Sequence, residues 1–284
     1  MVKKLSDTYE LNNGLKIPCV GFGTWQTPDG EVAVNAVKSA IECGYRHIDT
    51  AAVYGNEESV GKAVRAGTVS RDDIFITTKL WNDEHGYEAA LKACDVSLER
   101  LGVDIIDLYL IHWPNPIKFR GSFERTNAET WQAMEELYQA GKVKAIGVSN
   151  YLPHHLESLL KTARIMPMVN QIRLFPGYTQ KETVSYCREK NILIEAYSPL
   201  GTGKLLDAPE LVPIAEKYSK SPARICLRWS LQMGFLPLPK SVTASRIKEN
   251  ADIFDFTLSP AEMDILTNMP NHGGDGMNPD EAPF

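Results

Sequence analysis

Asp49 and Tyr54 lie close together in Tyr45-Arg46-His47-Ile48-Asp49-Thr50-Ala51-Ala52-Val53-Tyr54-Gly55-Asn56-Glu57. There a short β-like run breaks at an acidic residue, before a Gly-Asn turn and an acidic helix start. Taken alone, the pair has a plain structural reading, in which the aspartate caps a helix and the tyrosine packs. Two later runs add to it. Asp73-Ile74-Phe75-Ile76-Thr77-Thr78-Lys79 carries an apolar strand to a lysine, and Ile105-Ile106-Asp107-Leu108-Tyr109-Leu110-Ile111-His112 carries another to a histidine. If these strands are parallel neighbours, Asp49, Tyr54, Lys79 and His112 converge at their common carboxyl ends. The four types suit acid–base chemistry. A phenol, ordinarily with a pKa near ~10, becomes a usable acid beside an ammonium that favours the phenolate. A carboxylate holds that ammonium, and an imidazole steadies an oxyanion. An Asp49–Lys79 structural salt bridge and a packed core His112 are the non-catalytic counterparts.

The elements that must position these groups are predicted as strands near 19–23, 45–48, 74–79, 105–112, 144–148, 167–170, 192–196 and 235–238. Amphipathic helices fall near 31–43, 57–66, 86–101, 127–141, 153–162, 179–190, 222–233 and 243–251. Thr27-Pro28-Asp29-Gly30-Glu31 and Tyr151-Leu152-Pro153 look like helix starts. Gly44, Gly102 and Gly141 stand just past three helix ends, where a left-handed residue is needed. Alternation of this kind without a compositional break predicts an α/β fold, a (β/α)8 TIM barrel, over a doubly wound sheet, with residues 1–284 as one domain. Tyr9 to Leu11 and Leu15 to Ile17 flank Asn12-Asn13-Gly14, an N-terminal β-hairpin that could plug one end of the barrel. Outside the eight units lie a long loop, 115–127, a glycine-containing loop, 201–209, and an extra C-terminal helix at 260–269 with a polar tail.

In a barrel the site is built at the strand carboxyl ends. Those ends read Gly23-Thr24-Trp25, Asp49, Lys79-Leu80-Trp81, His112-Trp113, Ser149-Asn150, Gln171, Tyr197-Ser198 and Lys240-Ser241. A lysine, a histidine, an aspartate and three tryptophans on one rim is denser than solvation requires. Other motifs fail. Gly21-Phe22-Gly23 lacks the third glycine of a dinucleotide fingerprint, and Gly203-Lys204-Leu205 lacks the spacing of a P-loop. The adjacent His154-His155 cannot chelate from one helix face and reads as surface or packing, so no metal site is expected. Trp131 and Trp229 read as core.

A net charge of -6 argues against a nucleic-acid or anionic-membrane surface, leaving room for a local phosphate pocket. Five cysteines with no CxxC read as reduced thiols. The N-terminus lacks an apolar h-region and no apolar run approaches spanning length, so a cytoplasmic monomer without nucleic-acid or membrane partners is expected.

Asp49-Thr50-Ala51 with Tyr54-Gly55-Asn56-Glu57, Leu110-Ile111-His112-Trp113-Pro114, Gly147-Val148-Ser149-Asn150, Asn170-Gln171, Tyr197-Ser198-Pro199-Leu200-Gly201, and Pro239-Lys240-Ser241 with Arg246 and Glu249-Asn250 resemble aldo-keto reductase signatures, in family order from residue 21 to 250. The short tail is similar to the microbial and protozoal branch that includes diketogluconate reductases and prostaglandin F synthases. One departure stands out: that branch usually reads Glu and His within the segment Gln171-Ile172-Arg173-Leu174-Phe175-Pro176, where Arg173 and Phe175 stand here.

The resemblance implies hydride transfer from NADPH to an aldehyde or ketone, a small-molecule carbonyl substrate. Tyr54 would be the general acid, Lys79 the cation that lowers its pKa, Asp49 the holder of Lys79, and His112 the ligand of the carbonyl oxygen. Gly23, Thr24 and Trp25 would join Asp49 at the cofactor, with Ser149, Asn150 and Gln171 on the carboxamide and Tyr197 stacked on the nicotinamide. Ser198, Pro199, Leu200 and Gly201 would follow the pyrophosphate. Lys240, Ser241, Val242, Thr243 and Arg246 resemble the 2′-phosphate clamp, with Glu249 and Asn250 near adenine. The alternative for Arg246 is an i,i+3 surface pair with Glu249. Trp25, Trp81 and Trp113 would wall the substrate beside Tyr54 and His112, while Lys118, Arg120 and Arg125 on the long loop could draw anionic carbonyl compounds. Two other readings are a barrel lyase or isomerase using Lys79 as a Schiff-base nucleophile, and a non-catalytic NADP(H)-binding sensor or auxiliary subunit, since the family includes channel subunits and lens proteins.

Overall fold

In the computed structural model, which describes residues 2–67 and 69–284, eight parallel strands run in sequence order around a barrel. They are β3 (Phe22–Gly23), β4 (His47–Asp49), β5 (Phe75–Leu80), β6 (Leu108–Ile111), β7 (Ile146–Ser149), β8 (Val169–Arg173), β9 (Leu193–Tyr197) and β10 (Leu236–Leu238). The seam between first and last is closed by Gly21 N–H and Gly23 N–H donating to the carbonyls of Pro237 and Pro239, at 3.1 and 3.0 Å. The predicted barrel is what the chain forms.

The short strands β1 (Thr8–Glu10) and β2 (Lys16–Pro18) pair antiparallel as the expected hairpin, with Gly14 at a φ of 83° in its turn. It seals the amino-terminal end of the barrel. Tyr9 Oη donates to Phe235 O, Asn12 Nδ2 to Pro167 O and Asn13 Nδ2 to Lys144 O, all at the starts of barrel strands. Leu11 and Ile17 are buried beneath it, each such side chain worth about 1.5–3 kcal/mol of transfer free energy.

The helices are α1 (Glu31–Glu42), α2 (Glu57–Arg65), α3 (Tyr87–Leu101), α4 (Phe123–Gln139), α5 (Pro153–Leu160), α6 (Lys181–Glu189), α7 (Leu211–Tyr218), α8 (Pro222–Gln232), α9 (Ala244–Ala251) and α10 (Pro260–Asn268). Gly44, Gly102 and Gly141 all take positive φ past helix ends, as predicted. In α10, Pro260 follows an N-cap Ser259 whose hydroxyl and Glu262 form a capping box. Several element ends shift by a few residues from the sequence reading, and two differences matter more. α4 begins at Phe123, taking the end of the expected 115–127 loop, and α7 was not foreseen at all.

Strand alternation puts an unusual set of polar groups inside the barrel. His47, Asp49, Thr77, Lys79, Gln171 and Glu195 are buried and joined to one another by hydrogen bonds or short contacts. Gly21 makes room for them: a Cβ there would come within 2.6 Å of His47 Nδ1 and 2.5 Å of Leu238 Cδ2. The glycine excluded as a dinucleotide fingerprint is thus a packing requirement. Outside the barrel wall, Trp131 and Trp229 are fully packed, as expected, and all five cysteines are free. Among the described residues no helix is long and apolar enough to cross a membrane.

Candidate active site

Asp49 ends β4 and stands in register with Thr77 of β5; Lys79, two residues further along β5 on the same face, meets it through its long side chain. Lys79 Nζ donates to Asp49 Oδ1, Asp49 Oδ2 and Thr50 O, each at 2.8 Å, which uses all three of its hydrogens. Tyr54 ends a short 3-10 turn above them. Its ring centroid lies 5.1 Å from Lys79 Nζ. Thr50 and Asn56 pin this turn: Thr50 Oγ1 donates to Asn56 Oδ1, and Asn56 Nδ2 donates to the carbonyls of Thr24 and Thr27.

Burial and the Asp49 charge hold the Tyr54 phenol well above its ordinary value. This reverses the expected direction, in which Lys79 lowers it. The physical reason is that Lys79 is committed to Asp49 and Thr50, and a neutralised cation in an apolar surround does not offset desolvation.

His112 directly follows β6, its N–H bonded to Leu80 O, and its ring packs edge-on against Tyr54 and Trp81 at 5.7 and 5.3 Å. Burial, then the Lys79 charge, hold it well below 6.5, so the imidazole is neutral and donates from one ring nitrogen. Its Nδ1 has no partner within the described protein.

On the next strand ends, Ser149 Oγ donates to Gln171 O, and Asn150 Nδ2 donates to His112 O and Ser149 Oγ. Asn150 Oδ1 accepts from Tyr197 Oη at 2.9 Å. Asn150 takes a φ of 63°, a conformation asparagine tolerates. Gln171 donates from Nε2 to Asp49 Oδ2 and Glu195 Oε2, both at 2.8 Å. Beyond Tyr197, Ser198 and Gly201 have positive φ, and a Cβ on Gly201 would meet Gly273 Cα at 2.9 Å. Lys240 is exposed and donates to Gln26 O; Ser241 Oγ accepts from Thr243 N. Arg246 is exposed on α9 with no pairing carboxylate among the described residues, so the Glu249 surface pair does not form. Val242 is exposed nearby and Asn250 buried.

Of the three expected wall residues, Trp81 and Trp113 face each other across Phe284, at 5.3 and 5.1 Å from its ring. Trp25, after Gly23 and Thr24, is 47% exposed and makes no ring contact among the described residues. Phe284 was missed by sequence reasoning, and its only signal was an aromatic residue ending a polar tail. Ile117 N–H donates to Phe284 O, Arg120 Nη2 to Ala282 O and Asn115 Nδ2 to Asp280 O, strapping the tail over the loop after β6. Of the three loop cations expected to attract anionic substrates, one is neutralised by a carboxylate. Arg125 pairs with Glu129, while Arg120 and Lys118 keep their charge but are turned to the backbone carbonyls of Asn115, Ala282 and Asp83.

His154 and His155 also hold the tail, their Nε2 atoms 3.0 and 2.9 Å from Asp280 Oδ1. His155 Nδ1 accepts from Leu152 N–H, so its neutral form carries the proton on Nε2 and gives it to Asp280. That is a hydrogen-bonding arrangement, in which Nε2 has no free lone pair for an ion. Arg173 and Phe175, the departures from the resembling branch, fasten a third tail contact. The Arg173 guanidinium lies 5.3 Å from the Phe175 ring centroid and donates to the carbonyls of Gly273 and Asp275.

Comparison with known proteins gives the same picture from another side. The profile of the "Aldo/keto reductase family" matches residues 19–270. A glyoxal reductase of Bacillus subtilis is 49% identical over the full length of both chains. A crystal structure of an aldo/keto reductase from Brucella melitensis superposes with a TM-score of 0.88 at 49% identity, covering 94% of this chain and 98% of that one. A Bombyx mori aldo-keto reductase solved in complex with NADP superposes at 0.84, with 39% identity over 94% and 93% of the two chains.

Proposed function

The chain belongs to the aldo/keto reductase family, and from that premise we propose that Tyr54 is the proton donor and His112 the carbonyl ligand of its NADPH-dependent reduction of aldehydes and ketones to alcohols. The observation that carries this assignment is the convergence of Tyr54, His112 and Trp81 in mutual ring contact above the buried Asp49–Lys79 pair.

The residues present fit a nicotinamide dinucleotide phosphate. Among the described residues no donor reaches Gln171 Oε1, leaving an acceptor for a carboxamide. Arg246, on α9, is exposed and has no pairing carboxylate among the described residues, and with Lys240 and Ser241, a few residues earlier in the chain, it would offer a charge-assisted site for a 2′-phosphate. Ser149, Asn150 and Tyr197 would hold the nicotinamide end, and Ser198, Pro199, Leu200 and Gly201 the pyrophosphate. Gly23, Thr24 and Trp25 would also contact the cofactor, with Val242, Thr243, Glu249 and Asn250 toward the adenosine end. When bound, NADPH supplies the hydride, two electrons delivered to the carbonyl carbon.

His112, neutral, donates to the carbonyl oxygen and aligns it with the Tyr54 hydroxyl. As the carbon accepts the hydride, negative charge gathers on that oxygen, and Tyr54 transfers its proton there to complete the alcohol. A phenol pKa held high keeps this proton in place at neutral pH, yet a phenol is still a far stronger acid than an aliphatic alcohol. Lys79 then meets the phenolate with positive charge it shares with Asp49. Trp81, Trp113 and Phe284 form an apolar wall that excludes water from the carbonyl.

The test is to follow NADPH absorbance with a panel of aldehydes, ketones and dicarbonyls, with NADH in parallel. No oxidation with any of them would defeat this reading and favour a cofactor-binding role without turnover.

A further inference from the structure

The barrel interior holds a carboxyl group that the reduction does not use. Glu195, on β9, is completely buried. Its Oε2 accepts from Gln171 Nε2 at 2.8 Å, while Oε1 has no hydrogen-bond partner, with His47 Nε2 3.9 Å away. Around it stand His47 and Asp49 from β4, Thr77 and Lys79 from β5, and Gln171 from β8; β10 contributes only the apolar Leu236 in register. A buried carboxylate needs a compensating charge. The neighbouring cation, Lys79, is already bound to Asp49. Burial and the Asp49 charge push the Glu195 carboxyl up to about 8, so near neutrality it is an acid, its proton on the unpartnered Oε1 and its Oε2 still accepting.

This arrangement decides the orientation of Gln171. An amide nitrogen has two hydrogens, and here both go to carboxyl oxygens: one to Asp49 Oδ2 and one to Glu195 Oε2, each at 2.8 Å. Flipping the amide would set its carbonyl oxygen against the Asp49 carboxylate and leave Glu195 Oε2 without a donor. Oε1 is therefore the free end.

We propose that Glu195 is a positioning residue of this reductase: by taking one N–H of Gln171 while Asp49 takes the other, it commits the Gln171 carbonyl oxygen to receive an N–H of the nicotinamide carboxamide. The inference rests on the reading of Gln171 as a carboxamide ligand given above. Its signature is a preference for a cofactor that has an amide N–H over one that lacks it.

Binding separates this from a purely structural role. NADP+ and its 3-acetylpyridine analogue, in which a methyl ketone replaces the amide, are titrated by quenching of intrinsic tryptophan fluorescence against the wild type, E195M and E195Q. The wild type is expected to bind NADP+ roughly 10-fold more tightly than the analogue, the worth of one hydrogen bond. E195M, similar in volume but without a comparable acceptor, is expected to lose that preference while binding the analogue as the wild type does. E195Q, whose side-chain oxygen takes the place of Oε2, is expected to keep it. Equal weakening of both ligands in E195M, or an undiminished preference, overturns the proposal. If E195M does not fold, E195D, with its acceptor withdrawn from Gln171, carries the same comparison and the same outcomes. A wild type that binds NADP+ with no preference overturns the role of Gln171 and of Glu195 together, and one that binds neither ligand defeats the cofactor reading itself.

Discussion

Lys79 Nζ lies 2.8 Å from both carboxylate oxygens of Asp49, so the cation beneath Tyr54 is neutralised at its own level in the barrel. What reaches the phenol is a dipole. Tyr54 therefore stays protonated across the neutral range and serves as a loaded donor, with the ion pair available to receive its phenolate after the transfer.

Tyr54→Phe removes the donor and little else, since the ring contact with His112 remains. General acid catalysis contributes about 10² to 10⁴-fold, and a fall of that size in kcat is expected, with NADPH affinity unchanged by fluorescence titration. A variant keeping more than half the wild-type rate when hydride transfer is rate-limiting would take Tyr54 out of the mechanism.

Arg246→Ala is expected to weaken NADPH binding roughly 10-fold or more and to leave NADH nearly untouched. The 2′-phosphate is the only difference between the cofactors, and a charge-assisted hydrogen bond is worth about 1.5–3 kcal/mol. Titration with each cofactor decides it. An equal fall in both affinities would assign Arg246 to the fold or the adenine.

The tail gives a third expectation. Asp280→Ala frees His154 and His155 and loosens the segment that sets Phe284 against Trp81 and Trp113. KM for an aromatic aldehyde should rise several-fold, with kcat changed much less, because the proton donor is untouched. Steady-state kinetics on benzaldehyde would refute this by showing an unchanged KM.

Stability should peak near pH 6.5, because two kinds of buried group pull in opposite directions. His47, His85 and His155 are held down to about 3, 4 and 4, chiefly by burial, and His112 well below its ordinary value. Below 6.5 the unfolded chain binds protons that the folded one refuses, so stability falls as pH drops, by up to ~1.4 kcal/mol per unit for each histidine. Glu195 runs the other way. Its folded value near 8 lies above the unfolded 4.5, so its contribution is full below 4.5 and is lost as pH rises to 8. Urea midpoints from pH 5 to 9 should decline on both sides, and E195Q should flatten the alkaline side. A wild-type midpoint still climbing between pH 7 and 8 would contradict this.

The barrel and its four central residues were legible because local signals carry them: period-2 runs, glycine past helix ends, and polar residues where each run stops. α7 was missed because Pro213 reads as a breaker, although in a helix's first turn no N–H is needed from it. The parts played by Asp280, Ala282 and Phe284 left no local trace, since their partners lie at residues 81–155. The direction of the Tyr54 shift was misjudged for a related reason. A lysine near a tyrosine can be read from strand ends, but how far its charge is already spent depends on the three acceptors that register gathers around it.

The seam of the barrel bears on how the chain survives before it is finished. Pro237 and Pro239 offer carbonyls to Gly21 and Gly23 but have no N–H to give in return. In a strand the carbonyl and N–H of one residue point to the same side, so the β10 edge that faces β3 lacks donors at both positions. Its natural partner needs only acceptors there. A foreign strand seeking a full ladder meets an edge with half its contacts missing. A parallel barrel closes only when segments more than 200 residues apart meet, and until then both edges are open to other chains. The two prolines thus leave the last strand a poor template for a foreign strand along this edge, and the seam itself is held there by donors from the β3 side.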